Sequence, residues 1–395
     1  MIKIKKKILV LTPRLPYPVI GGDRLRIYQV CKALSSEFSL TLLSLCEKES
    51  ELEIEIPNDG IFESVERILL KRRYSYLNTL RALFRYTPLQ VEYYRSSEFA
   101  NSVNRLIPNH DGVLSHLIRC AEYVKNVDKP KILEMTDAIS LNYSRVSNLN
   151  KGFWIKGLIY SFESKRLLAY EREIIKRFDL SVLVSEKDKE FLNQIDQQNV
   201  LVCSNGVNFE TFKFNSRKGS KSVIVYIGNM YSVQNMDACL FFSSSVMPLL
   251  QKEIDVTFRV VGRIKNSDAK KLMKFANVEV TGEVEDISLA VSDAKIGVCP
   301  VRLAAGVQNK VLEYMALGLP VVTSSIGLEG FQAIPNKDLL IANTPEEFLI
   351  SILKIWDNEE LRNQLSIDGR KYVESYHKWE VQLAPLVKRV KDIVC

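Results

Sequence analysis

The densest run of chemically useful side chains is Pro300–Thr323, PVRLAAGVQNKVLEYMALGLPVVT. A strand is expected to end at Pro300, a loop to carry Arg302 and Gly306, and a helix to start at Asn309 or Lys310. Free N–H groups at such a helix start, with the positive end of its dipole, suit a phosphate. Arg302, through its fork, and Lys310, as a point charge, would neutralise a diphosphate. Glu313 lies one turn further in, where a carboxylate can accept hydrogen bonds from vicinal ribose hydroxyls. The same residues also fit an exposed helix with an ordinary Lys310/Glu313 pair at i, i+3.

Two further residues sit where strands are expected to end. His116 closes the apolar run Asp111–His116, and Asp137 follows the run Lys131–Met135. Either would serve as a base or as an orienter of a substrate hydroxyl. Their plainer readings are a satisfied structural histidine and a helix N-cap or turn residue. No Asp-x-Asp triplet occurs, and the three histidines are dispersed. No metal site is therefore expected, and protein cations are left to stabilise an anionic leaving group.

Short apolar runs alternate with longer helical patterns along the whole chain, the grammar of βαβ units and parallel sheets. In the first half, strands are expected at Lys7–Thr12, Ser39–Cys46, Asp111–His116, Lys131–Met135 and Leu180–Ser185, with helices near Asp23–Glu37 and Phe153–Phe178. The second half repeats the pattern. Strands are expected at Ser222–Ile227, Thr257–Val261, Val278–Thr281, Ile296–Pro300 and Pro320–Thr323, and helices at Asn235–Leu250, Ala269–Phe275, Ile287–Ala294 and Lys310–Leu317. The stretch Ser204–Ser222, rich in Ser, Asn, Gly and Lys, reads as a linker. The expected architecture is α/β: two Rossmann-like, doubly wound domains facing a central cleft, with ligands at the carboxyl ends of the strands. The expected boundaries are 1–203, a linker at 204–222, 223–375, and a C-terminal helix at 376–395 packing back on the first domain.

Composition narrows the class. The 395 residues are 46% apolar and 26% charged, which excludes a disordered or collagen-like chain. The start is basic but lacks a signal-peptide core, and no window is apolar enough to span a bilayer. Seven scattered cysteines without a Cys-x-x-Cys pair suit free thiols in a reducing cytoplasm. The net charge of +7 is uneven: residues 1–200 hold 31 Lys and Arg against 25 Asp and Glu, and the remainder 23 against 22. The surplus concentrates in Glu66–Arg85 and Lys151–Arg177, both interleaved with aromatic and aliphatic residues. Two readings stand, an anionic membrane surface or amphipathic helices with a solvated basic face. No nucleic-acid motif accompanies the charge, so nucleic acid is not an expected partner.

The segment PVRLAAGVQNKVLEYMALGLPVVTSSIGLEG resembles the nucleotide-sugar site of glycosyltransferase family 4 type GT-B enzymes. The blocks PRLPYPVIGGDRLRIYQVCKAL, LLAYEREIIKRFDLSVLVSEKD, SNGVNFETF, YIGNMYSVQNMDACLFF and GVQNKVLEYMALGLPVV resemble the sugar transferases found with bacterial exopolysaccharide (PEP-CTERM/exosortase) systems. They run in order from Pro13 to Gly330.

The resemblance implies the GT-B fold, an acceptor-side first domain, a nucleotide-sugar-binding second domain, and a retaining transfer that needs no strong base. The donor would be a nucleotide-sugar such as a UDP- or GDP-sugar, with no other cofactor, and the acceptor a glycan or lipid-linked glycan. Gly21 and Gly22 match the glycine-rich first loop close to donor and acceptor, where a missing Cβ permits close approach. Asp23 follows them and is also readable as the next helix's N-cap. Glu313 matches the second glutamate of the family's Glu-x7-Glu signature, but Ala305 stands where the first belongs. The family's basic pair after the first strand of the second domain is also absent, since Asn229 follows Gly228. Arg263 joins Arg302 and Lys310 as the available cations. The departures keep two alternatives open: a non-catalytic binding partner of the same fold, and a nucleotide-sugar epimerase, although the GVQNKVLEYMA block is not expected of the latter. The expected place is cytoplasmic, with a peripheral position on the inner face of the plasma membrane under the membrane reading.

Overall fold

A computed structural model describes residues 5–149, 154–193, 197–215 and 221–395. Residues 216–220 of the expected linker, and Lys151 and Phe153 of the second basic stretch, lie outside the described residues. The chain divides into two compact units, Met1–Ser204 with Leu383–Cys395, and Asn205–Gln382.

The first unit is built on seven strands: β1 (Lys7–Thr12), β2 (Ser39–Cys46), β3 (Ser64–Leu69), β4 (Gly112–His116), β5 (Lys131–Thr136), β6 (Leu180–Leu183) and β7 (Val200–Val202). They pair in parallel in the order β3-β2-β1-β4-β5-β6-β7. Such a sheet is covered on both faces, so its central strands read as unbroken apolar runs rather than alternating ones. Ile8, Leu9, Val10 and Leu11 of β1 are accordingly fully buried. The chain winds outward from β1 to β3, then returns to place β4 on the other side of β1. The loops leaving β1 and β4 therefore diverge and open a crevice at the carboxyl ends of those strands.

The second unit repeats the device with β8 (Val223–Ile227), β9 (Thr257–Val261), β10 (Val278–Gly282), β11 (Ile296–Cys299), β12 (Val321–Thr323) and β13 (Leu340–Ile341). The order is β10-β9-β8-β11-β12-β13, again parallel, and the winding reverses between β8 and β11. Phe242 anchors its core, 4.6 Å from Phe258 and 6.0 Å from Phe348 between ring centroids.

Three expectations need correction. Glu66–Arg85 is not one amphipathic element, because Ser64–Leu69 is edge strand β3 and only Arg72–Ala82 is helical. The expected helix Asn235–Leu250 is instead Val233–Phe241, a π-helical turn at Phe242–Val246, and Met247–Leu250. Pro248 has no N–H for the usual i−4 bond, and widening the preceding turn accommodates it. The helix after β1 starts at Gly22 with Gly21 as its cap, so Asp23 lies inside the first turn. No helix among the described residues is long and apolar enough to cross a membrane.

Candidate functional site

In the first unit the β1–β4 crevice gathers residues from three strand ends, those of β1, β4 and β5. Gly21 has φ 98°, a left-handed conformation that a side chain would strain, and it turns the loop after β1 into helix Gly22–Ser35. Pro13, Arg14, Asp23, Arg24, Ile27, His116 and Leu117 line a small opening there. Asp23 pairs with Arg14 at 3.4 Å. Burial alone would raise its carboxyl, but Arg14, His116, the Arg24 N–H and Arg119 together hold it below its ordinary range.

His116 and Glu134 are register partners on β4 and β5. His116 Nδ1 lies 2.6 Å from Glu134 Oε2, and Arg26 Nε donates to Glu134 Oε1 at 3.1 Å. The side chains of Arg26 and Glu134 are wholly buried. Burial pushes the Glu134 carboxyl up, yet His116 and Arg26 outweigh it and bring it down to about 2. An ionised carboxylate only accepts, so the His116 ring proton on this side belongs to Nδ1, and Nε2 is the atom left for a substrate. The residues flanking the site are strained: Leu117 and Thr136 hold φ 60° and 66°. Non-glycine residues held there cost on the order of 1–3 kcal/mol each and concentrate at functional sites.

Asp137 follows Thr136. Burial, reinforced by Asp188, pushes its carboxyl up to about 7, against the pull of Arg119. It is not used as a helix cap. The first N–H groups of helix Ile139–Leu149 donate elsewhere, Ala138 N to Asp188 at 3.1 Å and Ile139 N to Glu171 at 2.8 Å. A carboxyl poised near neutrality and not committed to capping can exchange a proton with a hydroxyl.

In the second unit the corresponding crevice lies between β8 and β11. Helix Asn309–Ala316 starts there with Gln308 as an N-cap whose side chain makes no cap bond. Lys310 Nζ donates to Asn235 Oδ1 at 3.2 Å and to Gln308 Oε1 at 3.3 Å, and stands 5.2 Å from the Tyr226 ring centroid. Tyr226 Oη also donates to Asn235 Oδ1, at 2.7 Å. These neutral acceptors hold the ammonium without cancelling its charge. Glu313 keeps some solvent contact, but the protein around it pushes its carboxyl up to about 7, with Lys310 opposing. No hydrogen-bond donor to that carboxylate is present among the described residues. The loop before the helix takes a left-handed step at Gly306, φ 67°.

The other expected cations are more engaged. Arg302 grips Asp237 through two bonds of 3.0 and 2.7 Å, so its fork faces a carboxylate of the protein. Arg263 lies beyond β9, 3.4 Å from Glu283 and 6.0 Å from the Tyr231 ring. The Asn309 side chain accepts from Asn205 at 2.8 Å. The structure therefore clusters Lys310, Glu313 and Gly306 in one unit, and Gly21, Gly22 and His116 with Asp137 nearby in the other. Sequence reasoning missed Arg26, Glu134, Asn235 and Gln308 as partners. Only Glu134 carries a signal of its own, a charge interrupting the apolar run Ile132–Met135.

Residues 221–358 match the family model of the glycosyl transferases group 1. A protein in the cps region of Klebsiella pneumoniae is 24% identical over 387 residues, 93% of this chain and 95% of that one. An uncharacterized glycosyltransferase of Methanocaldococcus jannaschii is 23% identical, covering 74% of this chain and 85% of its own. Among solved structures, sucrose-phosphate synthase of Thermosynechococcus elongatus superposes with TM-score 0.74 at 13% identity, over 98% of this chain and 99% of that one. HepE of Anabaena in complex with UDP superposes with TM-score 0.69 at 13% identity, over 98% and 100%. Two parallel sheets with reversed winding and these neighbours show that the chain has the GT-B fold, and residues 221–358 form a domain that matches the glycosyl transferases group 1.

Proposed function

We propose that this chain moves a sugar from a UDP- or GDP-sugar to a hydroxyl of a glycan or lipid-linked acceptor in bacterial surface polysaccharide synthesis. The transfer retains anomeric configuration and uses protein cations at the diphosphate. The observation that carries the reading is Lys310 held by neutral acceptors at a helix start, with Glu313 one turn on. The Klebsiella relative's place in a cps region supports the pathway class, and the HepE complexes with UDP and UDP-glucose support the donor class. Lys310 and the N–H groups of its helix start take the charge that develops on the leaving diphosphate. Glu313 accepts from ribose hydroxyls, and His116 Nε2 and Asp137 orient the acceptor hydroxyl.

Calorimetry with UDP and GDP tests this. Charge-assisted hydrogen bonds contribute about 1.5–3 kcal/mol, so Lys310→Ala should weaken nucleotide binding by about 10–100-fold. Glu313→Ala should weaken nucleosides as well as nucleotides. Absence of binding to any nucleoside diphosphate, or binding unchanged in both variants, overturns the proposal.

The first unit is proposed to rest on an anionic membrane surface. Helix Arg72–Ala82 and the turn after it leave Tyr74, Leu77, Leu80 and Leu83 more than half exposed, with Phe84 at 92% and Tyr86 at 98%. Lys71, Arg72, Arg73, Arg81 and Arg85 are exposed among them. Apolar side chains entering the headgroup region and cations attracted to anionic lipid act together there. Co-sedimentation should rise with the phosphatidylglycerol content of phosphatidylethanolamine vesicles and fall with salt. Phe84→Ser with Leu80→Ser should reduce it several-fold, whereas sedimentation indifferent to anionic lipid removes the membrane assignment.

A further inference from the structure

We propose that a cavity of about 670 Å³ beside helix Arg72–Ala82 seats the phosphorylated head group of an amphiphile, with Arg119 as its anchor. The inference rests on the lipid-linked acceptor reading above and names a subsite for it. Lys71, Tyr74, Asn78, Arg95, Arg119 and Tyr123 are among the lining residues. The cavity lies at the carboxyl rim of the first sheet, reached by Leu69 at the end of β3 and by Arg119 just past β4.

The charges around it are unequal in commitment. Arg95 grips Glu92 at 2.9 and 2.8 Å, and Lys71 faces Glu98 at 3.7 Å. Glu122, also in the lining, accepts from Lys125 at 3.0 Å and from the Tyr170 hydroxyl at 2.9 Å. Arg119 differs. Its Nε donates to the Gln90 side-chain carbonyl at 3.1 Å and its Cζ lies 5.2 Å from the Tyr94 ring, but no carboxylate among the described residues is within ion-pair distance. Among the described residues its terminal nitrogens have no protein acceptor, which leaves the fork geometry that suits a phosphate.

Two neighbours give the anchor its meaning. Tyr74 belongs both to the lining and to the exposed apolar flank that continues through Leu77 and Leu80 to Phe84, so an alkyl chain leaving the cavity meets apolar surface. On its other side, Arg119 follows His116 by three residues, and its charge acts on Asp23 and Asp137. A head group held at Arg119 therefore brings the adjoining acceptor hydroxyl to the crevice residues.

Calorimetry with decyl phosphate, decanol and inorganic phosphate, below micelle concentrations, tests the assignment. Decyl phosphate should bind at least about tenfold tighter than either of the other two, the scale of one charge-assisted contact. Arg119→Gln should abolish the preference for decyl phosphate over decanol, and Arg119→Lys should keep part of it. Phe84→Ser should weaken decyl phosphate and decanol by the same factor. Equal binding of decyl phosphate and decanol, or a preference that survives Arg119→Gln, overturns the anchor. Inorganic phosphate binding as tightly as decyl phosphate overturns the amphiphile. UDP binding, measured on every protein, reports the fold and the donor site. A wild type that binds decyl phosphate but no nucleotide would sink the transferase reading and leave this subsite standing.

Discussion

Glu134→Ala should destabilise the first unit by about 3–5 kcal/mol, because it strands the fully buried Arg26 guanidinium without its counter-charge. Chemical denaturation followed by fluorescence measures the loss. The double variant Arg26→Met with Glu134→Leu should lose less than the sum of the two single changes, since it removes both charges. Glu134→Gln probes the other role of the residue. It keeps the shape, but an amide no longer enforces a proton on His116 Nδ1, so activity should fall further than stability. The pH dependence has a defined sign. The folded carboxyl titrates at about 2, below its ordinary value of 4.5, so its contribution is complete above that ordinary value and lost as pH falls toward about 2. Wild-type stability should decline across that acid window more steeply than that of Glu134→Gln. Equal slopes would mean that the carboxylate is not held as described.

Gly262→Ala should be the most damaging single methyl in the second unit. Gly262 has φ 126°, and a Cβ there would lie 2.0 Å from the Gly228 carbonyl oxygen, which is backbone and cannot rotate away. The loops after β8 and β9 are fastened to each other at this point, Gly228 N to Val261 O at 3.0 Å and Met230 N to Arg263 O at 2.8 Å. Left-handed strain of about 1–3 kcal/mol and a backbone displacement add together, for a loss of about 3 kcal/mol or more. In a unit of this size that lowers Tm by about 6–12 °C. The displaced loop carries Asn229, whose carbonyl receives the Asn235 amide at 3.0 Å, and Asn235 in turn holds Lys310. Nucleotide affinity should fall with stability, although the substitution touches no nucleotide-binding group. An unchanged Tm in a thermal melt would refute the close approach.

The contrast between Lys310 and Arg302 shows what local sequence conveys. Lys310 and Glu313 share one face of one helix, so their proximity follows from a spacing of three. Whether a cation is available depends on partners far along the chain: Asn235 leaves Lys310 charged and Asp237 occupies Arg302, and both come from the helix after β8. His116 was legible as a strand-end residue, but its pairing with Glu134 exists only through the register of β4 on β5. The central strands were legible because burial on both faces demands unbroken apolar runs. Edge strand β3 was not, since its exposed positions admit Glu66, which pairs with Arg105 at 2.6 Å, and its charges merge with the basic helix that follows. The two-residue β13 is too short to carry a pattern.

Residues 383–395 belong to the first unit although 178 residues of the second precede them. Leu383, Leu386 and Val390 are buried, and Val394 packs closely on Gly112 at the start of β4. A ribosome moving at about 5–20 residues per second delivers this segment roughly 10–35 s after Ser204 has emerged. For that interval the nascent first unit carries an uncovered apolar strip beside the start of its central strand β4. The order of synthesis thus leaves the first unit incomplete until the last residues are made, while the second unit, contiguous in sequence, has all of its own chain before the first does.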